Sequence, residues 1–113
     1  MNALIYQNLC RKFRPNIEYK MITHTVAFRL KNPDTLTQFL DTAAHLAQVP
    51  GVQEFKILKQ IGKKNAFTHA LSMVFADQSV YDAYNNHADH QDFVNSVWIP
   101  EVAEFIELDY VSA

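Results

Sequence analysis

Residues 22–30 read ITHTVAFRL, and this stretch decides the fold. Ile22, His24, Val26, Phe28 and Leu30 occupy alternate positions and are the heavier, more apolar set. Thr23, Thr25, Ala27 and Arg29 fill the positions between. A period of two, rich in β-branched residues, predicts a strand with one face on a core. Just beyond it, Asn32 and Pro33 read as a helix cap and a first helical residue, where proline's missing N–H costs nothing. Leu36, Phe39, Leu40, Ala43, Leu46 and Ala47 then recur at helical spacing. They predict one amphipathic helix over 33–48, stopped by Pro50 and Gly51.

Further along, residues 52–61 predict a second strand with Phe55, Ile57 and Ile61 in one phase. Residues 62–65 (GKKN) read as a tight hairpin connection, and 66–75 as a third strand with Phe67, His69, Leu71, Met73 and Phe75 on one face. Ser79 and Asp82 resemble a capping box. They open a helix that carries Val80, Tyr81 and Tyr84, bends near His87, and continues through Phe93, Val94 and Val97 to Pro100. Residues 102–110 predict a last strand with Ile106, Leu108 and Tyr110 in phase. The order is β-α-β-β-α-β. With right-handed crossovers it gives an α+β, ferredoxin-like fold: a four-stranded antiparallel sheet with both helices on one face. The heavy phases of strands one and three face the helices. The light phases, Thr25, Ala27, Ala70, Ser72 and Val74, form a small, nearly uncharged bare face. Such a face is most simply covered by a second copy, so a homodimer packed sheet to sheet is expected.

Composition narrows the possible functions. The chain has 113 residues with 49% hydrophobic content, two glycines and a single cysteine. Two glycines cannot build a Walker loop or a dinucleotide-binding fingerprint. A net charge of −2 argues against general nucleic-acid binding, which needs a dense basic surface. No apolar run reaches the ~20 residues of a membrane helix. The lone Cys10 excludes an internal disulfide framework, so a cytoplasmic, reducing setting is expected. Charge is uneven: residues 1–20 hold Arg11, Lys12, Arg14 and Lys20 against Glu18, whereas the remaining 93 residues hold six bases and eleven acids. A composition break at Met21 divides an N-terminal extension, 1–20, from a domain, 21–113. The extension reads as a tail, an upstream-start artefact with Met21 as the functional start, a packing segment or a targeting peptide.

From Met21 on, the chain resembles the stress-responsive α/β-barrel domain family, a dimeric branch of the ferredoxin-like folds. The matching pieces are HTVAFRLK at 24–31, VPGV at 49–52, THAL at 68–71 with Phe75, YNNHADHQDF at 84–93, and Asp109-Tyr110. One departure stands out: the family usually has proline after the first motif histidine, and here Ala88 follows His87. The missing proline implies a straighter helix. The resemblance implies a homodimer and little about reaction. A plant polyketide-cyclase branch is similar in this motif, and its tyrosine and second histidine act as acid/base groups. The matching positions are Tyr84 and His90.

The candidate site follows from this resemblance and from the topology. Tyr84 and His90 are the candidate catalytic residues. His24, Phe28, His69, Leu71, His87 and Phe93 are candidate ligand-binding residues, the aromatic and leucine side chains serving the core first. His90 would accept a proton from an acidic C–H or O–H, and Tyr84 would hydrogen-bond the developing oxyanion. His69 would orient the ligand or His90. Six residues apart, Tyr84 and His90 straddle a pocket without touching unless the helix bends. Pairing the midpoints of strands one and three sets His24 opposite Met73 and His69 opposite Phe28. The two histidines are then about four residues, or ~13 Å, apart, too far to share one metal ion. No metal and no cofactor are expected. The acids at 101, 104 and 107 read as a solvated edge. Two function classes result. One is a dimer that binds a small hydrophobic or carbonyl ligand without turnover. The other is a cofactor-independent cyclase or lyase of polyketide-like compounds, or a monooxygenase of phenolic rings.

Overall fold

The computed structural model describes residues 20–113. The N-terminal extension, apart from Lys20, lies outside the described residues. Four strands, β1 (Ile22–Leu30), β2 (Gln53–Lys59), β3 (His69–Phe75) and β4 (Val102–Tyr110), form one sheet. Its order is β2-β3-β1-β4, with every neighbouring pair antiparallel. β1 and β3 are therefore central. His24 pairs with Met73 and Phe28 with His69, the register expected from matched midpoints.

The alternation of β1 has its physical counterpart in burial. Ile22, His24, Val26, Phe28 and Leu30 are buried, as are Leu71, Met73 and Phe75 on β3. They pack under Phe39, Ala43, Leu46, Tyr81, Tyr84 and Phe93 of the helical layer. Five aromatic rings, Phe28, Phe39, Phe93, Trp98 and Phe105, meet at one end of this core at centroid distances of 5.2–6.3 Å. On the opposite face of the sheet, Thr25, Ala27, Ala70, Ser72 and Val74 are half-buried. β4 sets its apolar phase there as well: Ile106, Leu108 and Tyr110 pair with Ala27, Thr25 and Thr23.

Several boundaries differ from the sequence reading. The first helix is not a single run. A 3₁₀ turn (Pro33–Thr35), capped by Asn32 as expected, leads into α1 (Leu36–Ala43) and a second 3₁₀ turn (Ala44–Gln48). The tighter turns at each end reflect the chain's need to re-enter the sheet layer at Val49, which is buried. At Gly51 (φ +92°) a Cβ would come 2.5 Å from the Val80 side chain, so the turn requires glycine. β2 is shorter than 52–61 and bulged, with Glu54 at φ 50° and a register shift between Gln53 and Lys56. The bulge breaks the simple alternation, and Ile61 lies beyond the strand at 93% exposure. The β2–β3 link is a long excursion, not a tight turn at 62–65. The Asn65 carboxamide organises it, accepting from Phe67 N–H at 3.0 Å and from the Gln60 side chain at 2.8 Å.

The second helical region begins one step earlier than expected. Asp77, not Ser79, is the cap: its carboxylate accepts from Val80 N–H at 3.0 Å and Ser79 Oγ at 2.7 Å. Asp82 instead accepts from the Gln78 side chain. α2 (Gln78–Asn86) ends at His87, whose extended backbone (ψ 139°) breaks the helix before α3 (Ala88–Phe93). The straighter course implied by Ala88 is not adopted. His87 makes the break itself, its Nδ1 accepting from Asp89 N–H at 3.0 Å as the cap of α3. The helix widens into a π-turn (Val94–Trp98), and a short α4 (Ile99–Glu101) contains Pro100 instead of ending before it.

Candidate functional site

The sheet and helices do not close completely over β4. Between them lies a cavity of about 670 Å³ whose wall includes His24, Tyr81, Tyr84, His90, Glu107 and Asp109 beside Leu71, Met73, Phe93 and Trp98. Its size is in the range of small-molecule sites. Two clusters of polar groups line it.

The first cluster joins three elements. His24 on β1 pairs in register with Asp109 on β4. The His24 Nδ1–H donates to Asp109 Oδ1 at 2.6 Å. The Tyr81 hydroxyl of α2 donates to Asp109 Oδ2 at 2.9 Å, and its oxygen lies 2.9 Å from the same His24 nitrogen. Burial, the hydrogen bond to Asp109 and the nearby carboxylates push the Tyr81 hydroxyl's pKa upward, so it remains a donor.

The second cluster arises from the helix break. Because α2 stops at His87, the His90 ring folds back: its Nδ1–H donates to the Asn85 carbonyl at 3.1 Å. The same turn brings the ring to 4.4 Å, centroid to centroid, from Tyr84. The two residues touch, where an unbroken helix would have kept them apart. With Nδ1 committed to a carbonyl, which only accepts, the free lone pair of His90 is on Nε2. Burial lowers the His90 pKa; the nearby His24 adds to this, while the Asn85 hydrogen bond and Glu107 oppose it. Burial, followed by the charge of Glu107, raises the Tyr84 pKa. At neutral pH the pair is a free imidazole beside a protonated phenol. Tyr84 is 2% exposed. Its hydroxyl has no hydrogen-bond partner among the described residues, although the Tyr81 hydroxyl has two.

The family model described as Stress Responsive A/B Barrel Domain matches residues 22–112. The chain belongs to this family. A family member from Mesorhizobium loti with a ferredoxin-like fold is 43% identical (TM-score 0.80), the match covering 83% of this chain and 98% of that one. A hydroxynitrile lyase from Passiflora edulis is 18% identical (TM-score 0.74), covering 84% and 95%. A dimeric ferredoxin-like protein of unknown function from Thermobifida fusca is 19% identical (TM-score 0.70), covering 82% and 92%. At those lower identities the likeness is one of fold. No curated protein matches the sequence.

Within this A/B barrel domain the residues singled out from sequence separate into two groups. His24, Leu71, Tyr84, His90 and Phe93 line the cavity. Phe28, His69 and His87 do not. Phe28 is fully buried among Phe39, Trp98 and His69. His69 sits at the β2 side of the sheet, its Nδ1 2.9 Å from Thr68 Oγ1, because the antiparallel register sets it four residues from the His24 level. Burial and the charge of Lys59 lower its pKa. The His87 Nδ1 is occupied as a helix cap. Among the described residues no group of three or more His, Cys, Asp or Glu is placed to hold a metal ion. No helix there is long and apolar enough to cross a membrane.

Three ionisable wall residues carried no site reading in the sequence. Tyr81 read only as a residue of the second helix, Asp109 as a motif residue closing a strand, and Glu107 as part of a solvated edge. Glu107 is exposed, as that reading expected, and in addition it pairs with Val26 on the phase that faces the helices, so it also lines the cavity. Glu104, on the other phase of β4, pairs with Arg29 at 2.8 Å.

Proposed function

We propose that this A/B barrel domain binds a small, largely apolar carbonyl compound in the cavity between sheet and helices. The observation that carries the reading is the Tyr84 hydroxyl. It belongs to a residue that is almost fully buried and lines the cavity, it is held protonated, and it is unpartnered among the described residues. A buried donor of this kind costs free energy until something accepts from it. A carbonyl oxygen is the acceptor that an apolar pocket can also desolvate.

A second reading has its own support. The Tyr84–His90 contact sets a hydrogen-bond donor beside a base with its lone pair on Nε2. This is the minimum for cofactor-independent acid/base chemistry: His90 takes a proton from an O–H or acidic C–H, and Tyr84 stabilises the oxyanion that forms. Lyase or cyclase chemistry of carbonyl compounds is compatible with this pair, and the Passiflora fold relative is a hydroxynitrile lyase. Turnover of hydroxynitriles, β-polyketones and phenols by wild type, His90→Ala and Tyr84→Phe tests it. A loss of about 100-fold or more is expected in both variants on any substrate that is turned over. Unchanged rates would remove both residues from the chemistry.

The same proposal includes a homodimer in a cytoplasmic setting. The face away from the helices presents Ile106, Leu108 and Tyr110 at 40–54% exposure beside the small residues of β1 and β3. A second copy laid against this face would bury it, and the Thermobifida fold relative is dimeric. Thr25→Lys or Ala70→Glu should convert a dimer to a monomer by light scattering. A 13.0 kDa wild-type species at micromolar concentration would contradict the proposal.

A further inference from the structure

We propose that Glu107 makes the cavity selective by charge: it takes carbonyl compounds that are uncharged or carry an ammonium group, and it turns away those that carry a carboxylate or phosphate. This rests on the reading of the cavity as a carbonyl-ligand site and names the class of ligand it admits.

The wall holds two carboxylates, Glu107 and Asp109, and neither lysine nor arginine. Asp109 has both oxygens occupied by His24 and Tyr81. Glu107 differs: its carboxylate makes no hydrogen bond or ion pair among the described residues. It stands at the middle of β4, opposite Val26, on the phase that faces the cavity. It lines the same cavity as Tyr84 and His90, and its charge contributes to the raised pKa of Tyr84 and opposes the net lowering at His90. A ligand in contact with those two side chains is therefore within reach of the same field. An anionic substituent would have to shed water opposite a like charge with no cation to replace its hydration. An ammonium would gain a charge-assisted hydrogen bond, and a neutral group would do neither. The repulsive element is what discriminates here, because the wall offers no cation from lysine or arginine and the Asp109 carboxylate is already bonded to His24 and Tyr81.

Trp98 is the chain's single tryptophan and a wall residue, so its fluorescence reports occupancy. The probes are three aryl ketones of similar size: 4′-methylacetophenone, 4′-(aminomethyl)acetophenone and 4-acetylbenzoate. The full chain should bind the first two about tenfold or more tighter than the benzoate. The ratio should shrink as salt rises. Glu107→Gln should bring the benzoate to within roughly threefold of the neutral ketone, and Glu107→Lys should reverse the order. A benzoate that binds wild type as tightly as the neutral ketone overturns the charge selectivity alone. A preference that Glu107→Gln leaves unchanged overturns the role of Glu107. No response of Trp98 to any probe at millimolar concentration overturns the ligand-site reading, and the charge selectivity with it.

Discussion

His24 and His90 line the same cavity, and each has a tyrosine beside it, yet the two pairs are built to opposite ends. Around His24 the polar atoms satisfy one another. Asp109 accepts from both the imidazole and the Tyr81 hydroxyl, and the imidazole lies within hydrogen-bond distance of both partners. This triangle ties β1, β4 and α2 together. Around His90 the ring nitrogen is anchored to a backbone carbonyl, and the neighbouring Tyr84 hydroxyl has nothing to bond among the described residues. A closed network holds its elements in place. An open one leaves a donor and a lone pair for something else. The difference separates His24, whose bonds hold the fold together, from His90, the proposed base, even though both are histidines of one cavity wall.

The sharpest way to break that comparison is to delete each imidazole and measure stability. His24→Ala strips the buried partner from Asp109 and Tyr81 and hollows the core, which costs roughly 3 kcal/mol. For a domain of this size the melting temperature should fall by about 15 °C. His90→Ala removes one hydrogen bond to a carbonyl that can turn to water in the cavity, at a cost of ~1 kcal/mol. Equal losses in thermal melts would show that the two clusters are not different in kind.

A gentler version removes single oxygens. Tyr81→Phe deletes a hydrogen bond to a carboxylate and should cost about 1.5–2 kcal/mol. Tyr84→Phe deletes a hydroxyl with no protein partner among the described residues, and should leave stability within ~0.5 kcal/mol or raise it slightly. The order should invert for ligand affinity, with Tyr84→Phe the weaker binder. A destabilisation by Tyr84→Phe that matches that of Tyr81→Phe would mean that the Tyr84 hydroxyl has a partner in the folded protein.

Legibility followed the same division. The period of two in residues 22–30 fixed β1 and its buried face. Matching strand midpoints then set His24 against Met73 and His69 against Phe28, because an antiparallel ladder leaves little freedom once both phases are known. The closed network was not legible. Asp109 is 85 residues from His24, and its direction depends on the phase of an edge strand. Apolar periodicity would have misled there: Ile106, Leu108 and Tyr110 are the apolar set of β4, yet they face away from the helices, and Glu107 and Asp109 face inward. The open pair was half legible. Tyr84 and His90 were named and a bend near His87 was expected, but Ala88 pointed to a straighter course, and their contact depends on the full break at His87. No proline marks that break; a histidine side chain caps it.

The smallest expected effect is the pH dependence of stability, and its sign follows from the burial of His90. Its pKa is lowered in the folded protein, as is that of His69. Below about pH 6.5 the unfolded chain takes up protons at these positions that the folded protein still refuses. The unfolded state then binds more protons, so stability rises with pH through that window and is lost as pH falls from about 6.5 toward the lowered folded values. Both side chains are partly exposed, which limits the loss to a fraction of a kcal/mol for each. His90→Asn keeps a polar group against the Asn85 carbonyl without a titrating nitrogen, and should flatten part of the slope between pH 7 and 5.5; His69→Asn should flatten the rest. Catalysis, if His90 is the base, should persist below pH 6.5 in wild type, because the imidazole remains unprotonated where an exposed histidine would not. A rate that instead fell off above pH 7 would show that the reaction needs a protonated group, and would remove neutral His90 from the role of sole catalyst.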